Sequence, residues 1–530
     1  MLSLPEVPEE FNICTFLLDR HLKEGRGNNI AVYYKDKKLT YAQIAEESNR
    51  FGNVLLNLGI ERENRVMICL YDCPEFITSF FGAMKIGAVP VPVSTMAVSQ
   101  DYLYYLNDSR AKVLIIDEKI LPEVIKVKNQ LIHLKHIIVL GNSEPGQLNY
   151  SELIKNSPPD LTTAITSRDD MAFWFYSSGT TGKPKGVVHL HHDLVFLTAH
   201  CREVLSMTPD DIVFSVSKLY FSYGRNSSLD SVFFSGGAAV LYPGLPRPES
   251  IVKVVKKYRP TIFCGVPSSY SAILNYLEKY KVEYDFSSVR AFVSAGEPLP
   301  KGIFYRWKEK FGMDILDGIG STDVGAIYIS SLPGQIKPGS VGKLLSNFEG
   351  KLVDELGREV ARGEIGNLWI KCDGTASHYW NKHQKTKESF CGEWFITGDM
   401  FYQDEEGFYY SVGRSDDMLK AGGIWVSPFE VEDILTEHHA VSECGVVGAP
   451  DKDNLEKPVA FVVLKKGYKP SPLLENELQE FVRSKTAHYK YPRCIHFVDK
   501  LPRTANGKLQ RCKLREKLYS FKNQRQKSQP

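Results

Sequence analysis

The chain lacks any apolar run near the roughly 18 to 20 residues needed to span a bilayer. It has no Cys-x-x-Cys pair. Its ten cysteines are scattered, the two nearest being Cys69 and Cys73. No zinc spacing or disulfide framework is visible, and a reducing compartment is expected. Nor does either charge dominate: the formal balance is +2, which argues against a strongly electrostatic partner such as duplex nucleic acid. The N-terminal MLSLPEVPEEFN is acidic and proline-bearing, unlike a signal peptide. These absences predict a cytoplasmic protein that does not span a membrane. No internal repeat stands out.

What is present is size. At 530 residues the chain should split into two or more domains, and 43% hydrophobic with 24% charged residues is ordinary for a globular protein. From Lys490 to Pro530, twelve Lys/Arg stand against two Asp/Glu. The last stretch reads as a solvated tail, while the earlier part is placed to face phosphates.

Helical and strand-like segments alternate. Thr40 and Gln43 form a capping box before the helical pattern YAQIAEESNRFGNVLLNLG. Strand-like runs follow at Val66–Leu70, Val113–Asp117 and Ile137–Leu140, with helical segments from Pro74 and around Asp101–Asn107. Further strands are expected at Val213–Ser217, Ala238–Tyr242, Thr261–Val266, Val289–Ser294 and Asp314–Leu316. The alternation predicts parallel or mixed sheets with helices on both faces. From Gly339 the texture turns to short strands and glycine-rich turns, suggesting a β-rich subdomain over about 339–414. A mixed α/β pattern resumes after Arg414, with a strand at Val459–Leu464 and a helix at Glu475–Ala487. The expected division is 1–414 and 415–530.

One loop commands attention. The apolar run Met171–Tyr176 reads as a buried strand and leads into YSSGTTGKPKG, Tyr176 to Gly186. Hydroxyls, glycines and two lysines in a loop so low in bulk suit a polyphosphate. Parallel sheets tend to bind ligands at the carboxyl ends of their strands, and the loop at Ser177 is expected at such an end. It is not the common P-loop. That pattern needs glycine where Ser177 stands and Ser/Thr where Pro184 stands. By itself the string could be a plain surface turn.

Further segments carry a resemblance: VSAGEPLP (Val293–Pro300), DGIGSTD (Asp317–Asp323), TGD (Thr397–Asp399), GRSDD (Gly413–Asp417) and PRTANGK (Pro502–Lys508). With the loop, they resemble in order the motifs of the acyl-adenylate-forming enzymes, which include acyl-CoA synthetases, firefly-type luciferases and peptide-synthetase adenylation domains. The resemblance implies a large N-terminal α/β domain and a small, mobile C-terminal α/β domain. It implies ATP, Mg²⁺ and CoA as cofactor and co-substrates, and a monomer or homodimer.

Residue by residue, the resemblance implies the following. Ser177, Ser178, Gly179, Thr180, Thr181, Gly182, Lys183 and Lys185 would hold the β- and γ-phosphates. Gly296, Glu297, Pro298, Asp317, Gly318 and Ile319 would frame adenine, with Ile319 where many members place an aromatic ring. Thr322 would contact the α-phosphate. Asp323 would position Mg²⁺, although the family usually has Glu there and Asp reaches one methylene less. Asp399 would accept both ribose hydroxyls, and Arg414 would reach ribose or phosphate oxygens. Lys508 would offset the charge as a carboxylate attacks the α-phosphorus. Asp416 would be the hinge that withdraws Lys508 for thioester formation, presenting a backbone at Gly422 and Gly423 to CoA, with Lys420 a candidate to hold the acyl carboxylate or adenylate in the acid pocket.

SKLYFSYGRNS (Ser217–Ser227) and IGSTDVGAIY resemble the benzoate–CoA ligase branch most closely. That implies an acid pocket of Phe221, Ser222, Tyr223, Gly320 and Ala326. Arg225 departs from the small or aliphatic residue expected; it would either meet a second anionic group on the substrate or point to solvent. The resemblance therefore implies an acid–CoA ligase for benzoate or a related aryl acid, acting through acyl-AMP. A carrier-protein-loading enzyme, a ligase for a small cyclic or short-chain acid, and a non-catalytic nucleotide-binding protein are the alternatives.

Overall fold

The computed structural model describes residues 6–177, 183–281, 284–415, 419–421, 424–450, 456–486, 490–503 and 509–518. A five-stranded, wholly parallel sheet lies near the N-terminus, in the order Val89–Pro92, Arg65–Cys69, Val113–Asp117, His136–Leu140, Leu148–Asn149. Its central strands are near-continuous apolar runs, as strands buried on both faces require. Helices Tyr41–Asn57 and Pro74–Lys85 pack beside it. The capping box is as predicted: Gln43 donates its backbone N–H to Thr40 Oγ1 at 3.2 Å, and Thr40 donates its own to Gln43 Oε1 at 2.9 Å.

A nine-stranded sheet forms the second layer. Its middle, from Ile30–Tyr34 through Ala238–Leu241, Ile212–Ser215, Ile262–Gly265 and Ala291–Ala295 to Ile315–Gly320, is parallel. Antiparallel strands Lys37–Thr40, Ile327–Ser330 and Lys343–Leu344 close its edges. Helices Pro248–Tyr258, Pro267–Tyr280 and Lys301–Phe311 pack on it through Ile251, Tyr270 and Trp307 against Phe263 and Phe292.

The expected strand Asp314–Leu316 runs on to Gly320. Gly318 lies opposite Ala295 on one side and Ser330 on the other, so pairing overrides the glycines' weak strand preference. Glycine is in fact demanded at 320, where a Cβ would come within 2.4 Å of the Ala326 carbonyl oxygen.

Strand Met171–Ser177 belongs to neither large sheet, which corrects the expected placement of the loop. It pairs antiparallel with Lys185–Leu190, and that strand with His378–Tyr379. The loop is therefore a hairpin connection, with Ser177 opposite Lys185. An apolar run of this length does not tell a parallel strand from an antiparallel one buried on both faces.

The β-rich region is an antiparallel sheet built on Trp394–Gln403, flanked by Gly366–Lys371 and Tyr409–Arg414. The C-terminal domain carries its own mixed sheet of Val441–Pro450, Glu456–Leu464 and Cys494–Phe497. Helices Pro428–Glu437 and Pro472–Lys485 cover it, and Val431, Leu435, Val446, Leu478 and Val482 form its core. The mixed α/β class with a separate C-terminal domain is borne out. No helix among the described residues is long and apolar enough to cross a membrane.

Candidate functional site

A cleft of about 2770 Å³ runs between the large domain and the C-terminal domain. The hairpin strands enter it through Ser177, Lys183, Pro184 and Lys185. Ser177 Oγ is buried without a hydrogen-bond partner among the described residues. On the return strand Lys185 Nζ lies 3.1 Å from Asp323 Oδ1 and 3.7 Å from the centre of the Tyr379 ring. Burial pulls its pKa down, and Asp323 opposes that pull. Lys183 Nζ stands 5.2 Å over Tyr104, whose hydroxyl donates to the Pro184 carbonyl at 2.6 Å. Ser178, Gly179, Thr180, Thr181 and Gly182 lie outside the described residues.

Asp323 is held from two sides. Lys185 and the Tyr379 hydroxyl, at 2.5 Å, both bond Oδ1. Oδ2 accepts no hydrogen bond among the described residues, so a magnesium ion fits there: a hard cation can take that oxygen and keep its waters. Tyr379 was not foreseen from sequence, because nothing in SHYW marks it locally.

Thr322 faces the same space, its Oγ1 3.3 Å from Ser222 Oγ. Its carbonyl is fixed from behind by His189 Nε2 at 2.9 Å, and His189 Nδ1 lies 2.8 Å from Asp193 Oδ2. Both ring nitrogens face oxygens, which fixes the orientation of the ring.

Asp399 and Arg414 meet across adjacent strands. Arg414 Nη1 donates to Asp399 Oδ1 at 3.1 Å and to the Thr397 carbonyl at 3.0 Å. Gly398 between them has φ +73°, and a Cβ there would press within 3.0 Å of the guanidinium. The TGD string thus turns its aspartate into the cleft because only glycine tolerates that backbone beside arginine.

Gly296, Glu297, Pro298, Gly318 and Ile319 line the cleft. Two residues of the adenine segments behave otherwise than expected. Asp317 does not line it; strand alternation turns the carboxyl away, and Oδ2 accepts the Leu299 N–H at 3.0 Å. Burial pushes its pKa up to about 8. Glu297 lines the cleft but also reaches the C-terminal domain: its Oε1 accepts the Leu509 N–H at 3.0 Å.

Phe221, Ser222, Tyr223, Gly320 and Ala326 do line the cleft together. Tyr223 contributes its ring only, since its hydroxyl donates to the Gly265 carbonyl at 3.2 Å. Arg225 fulfils neither expectation. It is fully buried, 3.0 Å from Asp230 Oδ2, donates to the Gly325 carbonyl at 3.0 Å, and lies 4.2 Å over Phe173. The cause is local geometry: the helix takes a π turn over Asn226–Asp230, and the wider turn brings residues five apart together. Lys508, Asp416, Gly422, Gly423 and the Lys420 side chain lie outside the described residues.

Comparison with known proteins agrees with this geometry. The model of the AMP-binding enzyme family matches residues 18–380, and that of the AMP-binding enzyme C-terminal domain matches 430–508. The chain belongs to the AMP-binding enzyme family. A benzoate–CoA ligase of Thauera aromatica is 41% identical over 514 residues, covering 96% of this chain and 97% of that protein. A 4-hydroxybenzoate–CoA/benzoate–CoA ligase of Rhodopseudomonas palustris is 38% identical, covering 96% and 94%. Among solved structures, the anthranilate CoA ligase AuaEII in complex with anthranoyl-AMP superposes with a TM-score of 0.92 at 41% identity, covering 97% of this chain and 98% of that one. The acyl-adenylate-forming resemblance is thus borne out.

Proposed function

We propose that the protein is an AMP-forming acid–CoA ligase acting on benzoate or a related aryl acid. The observation that carries the reading is the bond between Glu297 and Leu509. It draws the residue following Lys508 to the cleft that holds Lys185, Thr322, Asp323 and Asp399. The aryl–CoA ligase relatives, spanning nearly the whole chain, support the substrate class.

In the first step a carboxylate oxygen attacks the α-phosphorus, and the bond to the bridging oxygen of pyrophosphate breaks. Two anions must meet, so cations have to offset their repulsion. Lys508 would do so at the α-phosphate, while Lys183, Lys185 and the hairpin hydroxyls hold the leaving pyrophosphate. Thr322 Oγ1 would donate to an α-phosphate oxygen, with His189 fixing its backbone. A magnesium ion on Asp323 would draw charge from the phosphate oxygens. Asp399 would hold the ribose.

In the second step the CoA sulfur attacks the acyl carbon, AMP leaves with the former carboxylate oxygen, and the thiol proton is released. A swing of the C-terminal domain at Asp416 would remove Lys508 and admit pantetheine along Gly422 and Gly423. Incubating the protein with ATP, Mg²⁺, benzoate and CoA, and identifying products by mass, tests the reading. Benzoyl-CoA with AMP and pyrophosphate is expected; ADP and phosphate would contradict it.

A further inference from the structure

Helix Ser99–Ser109 ties down both sides of the hairpin that carries Ser177, Lys183 and Lys185. Tyr104 and Asp108 stand one helical turn apart, hence on one face of it. Tyr104 donates its hydroxyl to the Pro184 carbonyl at 2.6 Å, on the returning side of the hairpin. Asp108 accepts the Tyr176 hydroxyl at 2.8 Å, on the entering side, and also interacts with the Tyr104 hydroxyl. A further tie runs through Trp380. Its Nε1 donates to the Asp108 carbonyl at 2.9 Å, and its backbone N–H donates to the Gly186 carbonyl at 2.8 Å.

The tyrosines on this face divide the work. Tyr105, with Tyr176, packs against the apolar cluster that includes Met67, Leu114 and Trp174. Tyr104 instead meets Lys183, whose ammonium stands 5.2 Å over its ring, within reach of a cation–π attraction. One side chain therefore holds Lys183 at two points. The ring takes the ammonium, and the hydroxyl takes the carbonyl of the next residue.

That arrangement prepares a lysine for an anion. The ammonium has three donors, and those directed away from the ring stay free for phosphate oxygens. A lysine gripping a phosphate gives up much rotamer freedom, and one already held near its working place gives up less. The proline at 184 further restricts the backbone of Lys183.

Resting on the assignment of Lys183 to the β- and γ-phosphates, we propose that Tyr104 is a positioning residue for that lysine and sets how strongly the protein prefers ATP to AMP. AMP carries neither phosphate, so what Tyr104 supplies through Lys183 is felt by ATP alone.

Calorimetric titration of ATP and, separately, AMP with Mg²⁺ present tests this on the full chain. Tyr104→Phe keeps the ring and loses the hydroxyl. Its Kd for ATP should rise about two- to ten-fold, the worth of one hydrogen bond. Tyr104→Leu loses the ring as well and should add about two- to five-fold. The Kd for AMP should hold in both. In a Lys183→Met background the difference between Tyr104→Phe and Tyr104→Leu should vanish, as it must if the ring acts through the lysine. A merely structural role would weaken both nucleotides alike. Equal losses for ATP and AMP, an unmoved ATP affinity, or a Phe-to-Leu difference that persists without Lys183 overturns the proposal. ATP binding that follows the prediction in a protein without acid-dependent pyrophosphate exchange would sink the ligase reading and leave this one standing. Exchange with ATP affinity unmoved in both Tyr104 variants would do the reverse, and a parent protein that binds no ATP overturns both.

Discussion

Glu297 and Leu509 join the two domains through a 3.0 Å hydrogen bond from a backbone N–H to a carboxylate. Arg503, on the other side of Lys508 in sequence, lies 4.0 Å from the same carboxylate and bonds Glu443 at 2.6 Å. Arg503 and Leu509, the described residues on either side of Lys508 in sequence, thus both meet Glu297 at the cleft. Glu297→Ala removes a charge-assisted bond of about 1.5–3 kcal/mol and should slow adenylation about ten- to a hundred-fold. Conversion of supplied acyl-AMP to thioester should fall much less. Equal loss in the two half-reactions would refute a docking role specific to adenylation.

Lys508→Ala should abolish acid-dependent pyrophosphate exchange and leave thioester formation from supplied acyl-AMP largely intact. The two rates are measured separately on one preparation. Loss of both would contradict a role confined to the first step.

The buried Arg225–Asp230 pair is a stability element. Burial penalises both charged forms, pulling the Arg225 pKa down and the Asp230 pKa up. Arg225→Met strands Asp230 without its cation and should cost about 3–5 kcal/mol. Asp230→Leu added to Arg225→Met should restore much of that, because an apolar pair of similar volume often replaces a buried ion pair. Urea unfolding of the single and double variants gives the comparison; additive losses would contradict the pairing.

That pair also marks where sequence stops being informative. Lys185, Thr322, Asp323, Asp399 and Arg414 were legible as cleft residues because each sits in a short motif string, whereas the Asp399–Arg414 contact was not foreseen. Arg225 was not, because its partner lies five residues on, a spacing an α-helix does not bring together. Tyr379 meets Asp323 only through a strand pairing with Lys185–Leu190, almost two hundred positions away in sequence. The helix–strand order of the large domain was readable from periodicity, whereas the antiparallel pairing of Met171–Ser177 with Lys185–Leu190 was not, since period and length are the same for either pairing.

Asp317 makes stability depend on pH. Its carboxyl, ordinarily near 3.8, is raised by burial to about 8. Between those values the folded chain keeps a proton that the unfolded chain has lost. Its contribution is therefore full below the unfolded value and declines as pH rises through about 8. Asp317→Asn should flatten this decline, read as denaturation midpoints from about pH 5 to about pH 9. An identical slope in the variant would contradict the assignment.

On the proposed reading, Asp323→Asn weakens an acidic ligand for magnesium and, with it, the anchor of Lys185. The Mg²⁺ concentration for half-maximal exchange should rise about ten-fold or more. An unchanged Mg²⁺ requirement would remove Asp323 from the metal's coordination.

The central claim is that this chain joins a carboxylate to AMP before CoA takes part. Exchange of labelled pyrophosphate into ATP, with CoA withheld and an aryl acid supplied, measures that step alone. Label should enter ATP only when the acid is present, and stop when Mg²⁺ is chelated. Exchange that ignores the acid, or none with any aryl acid, would contradict the account.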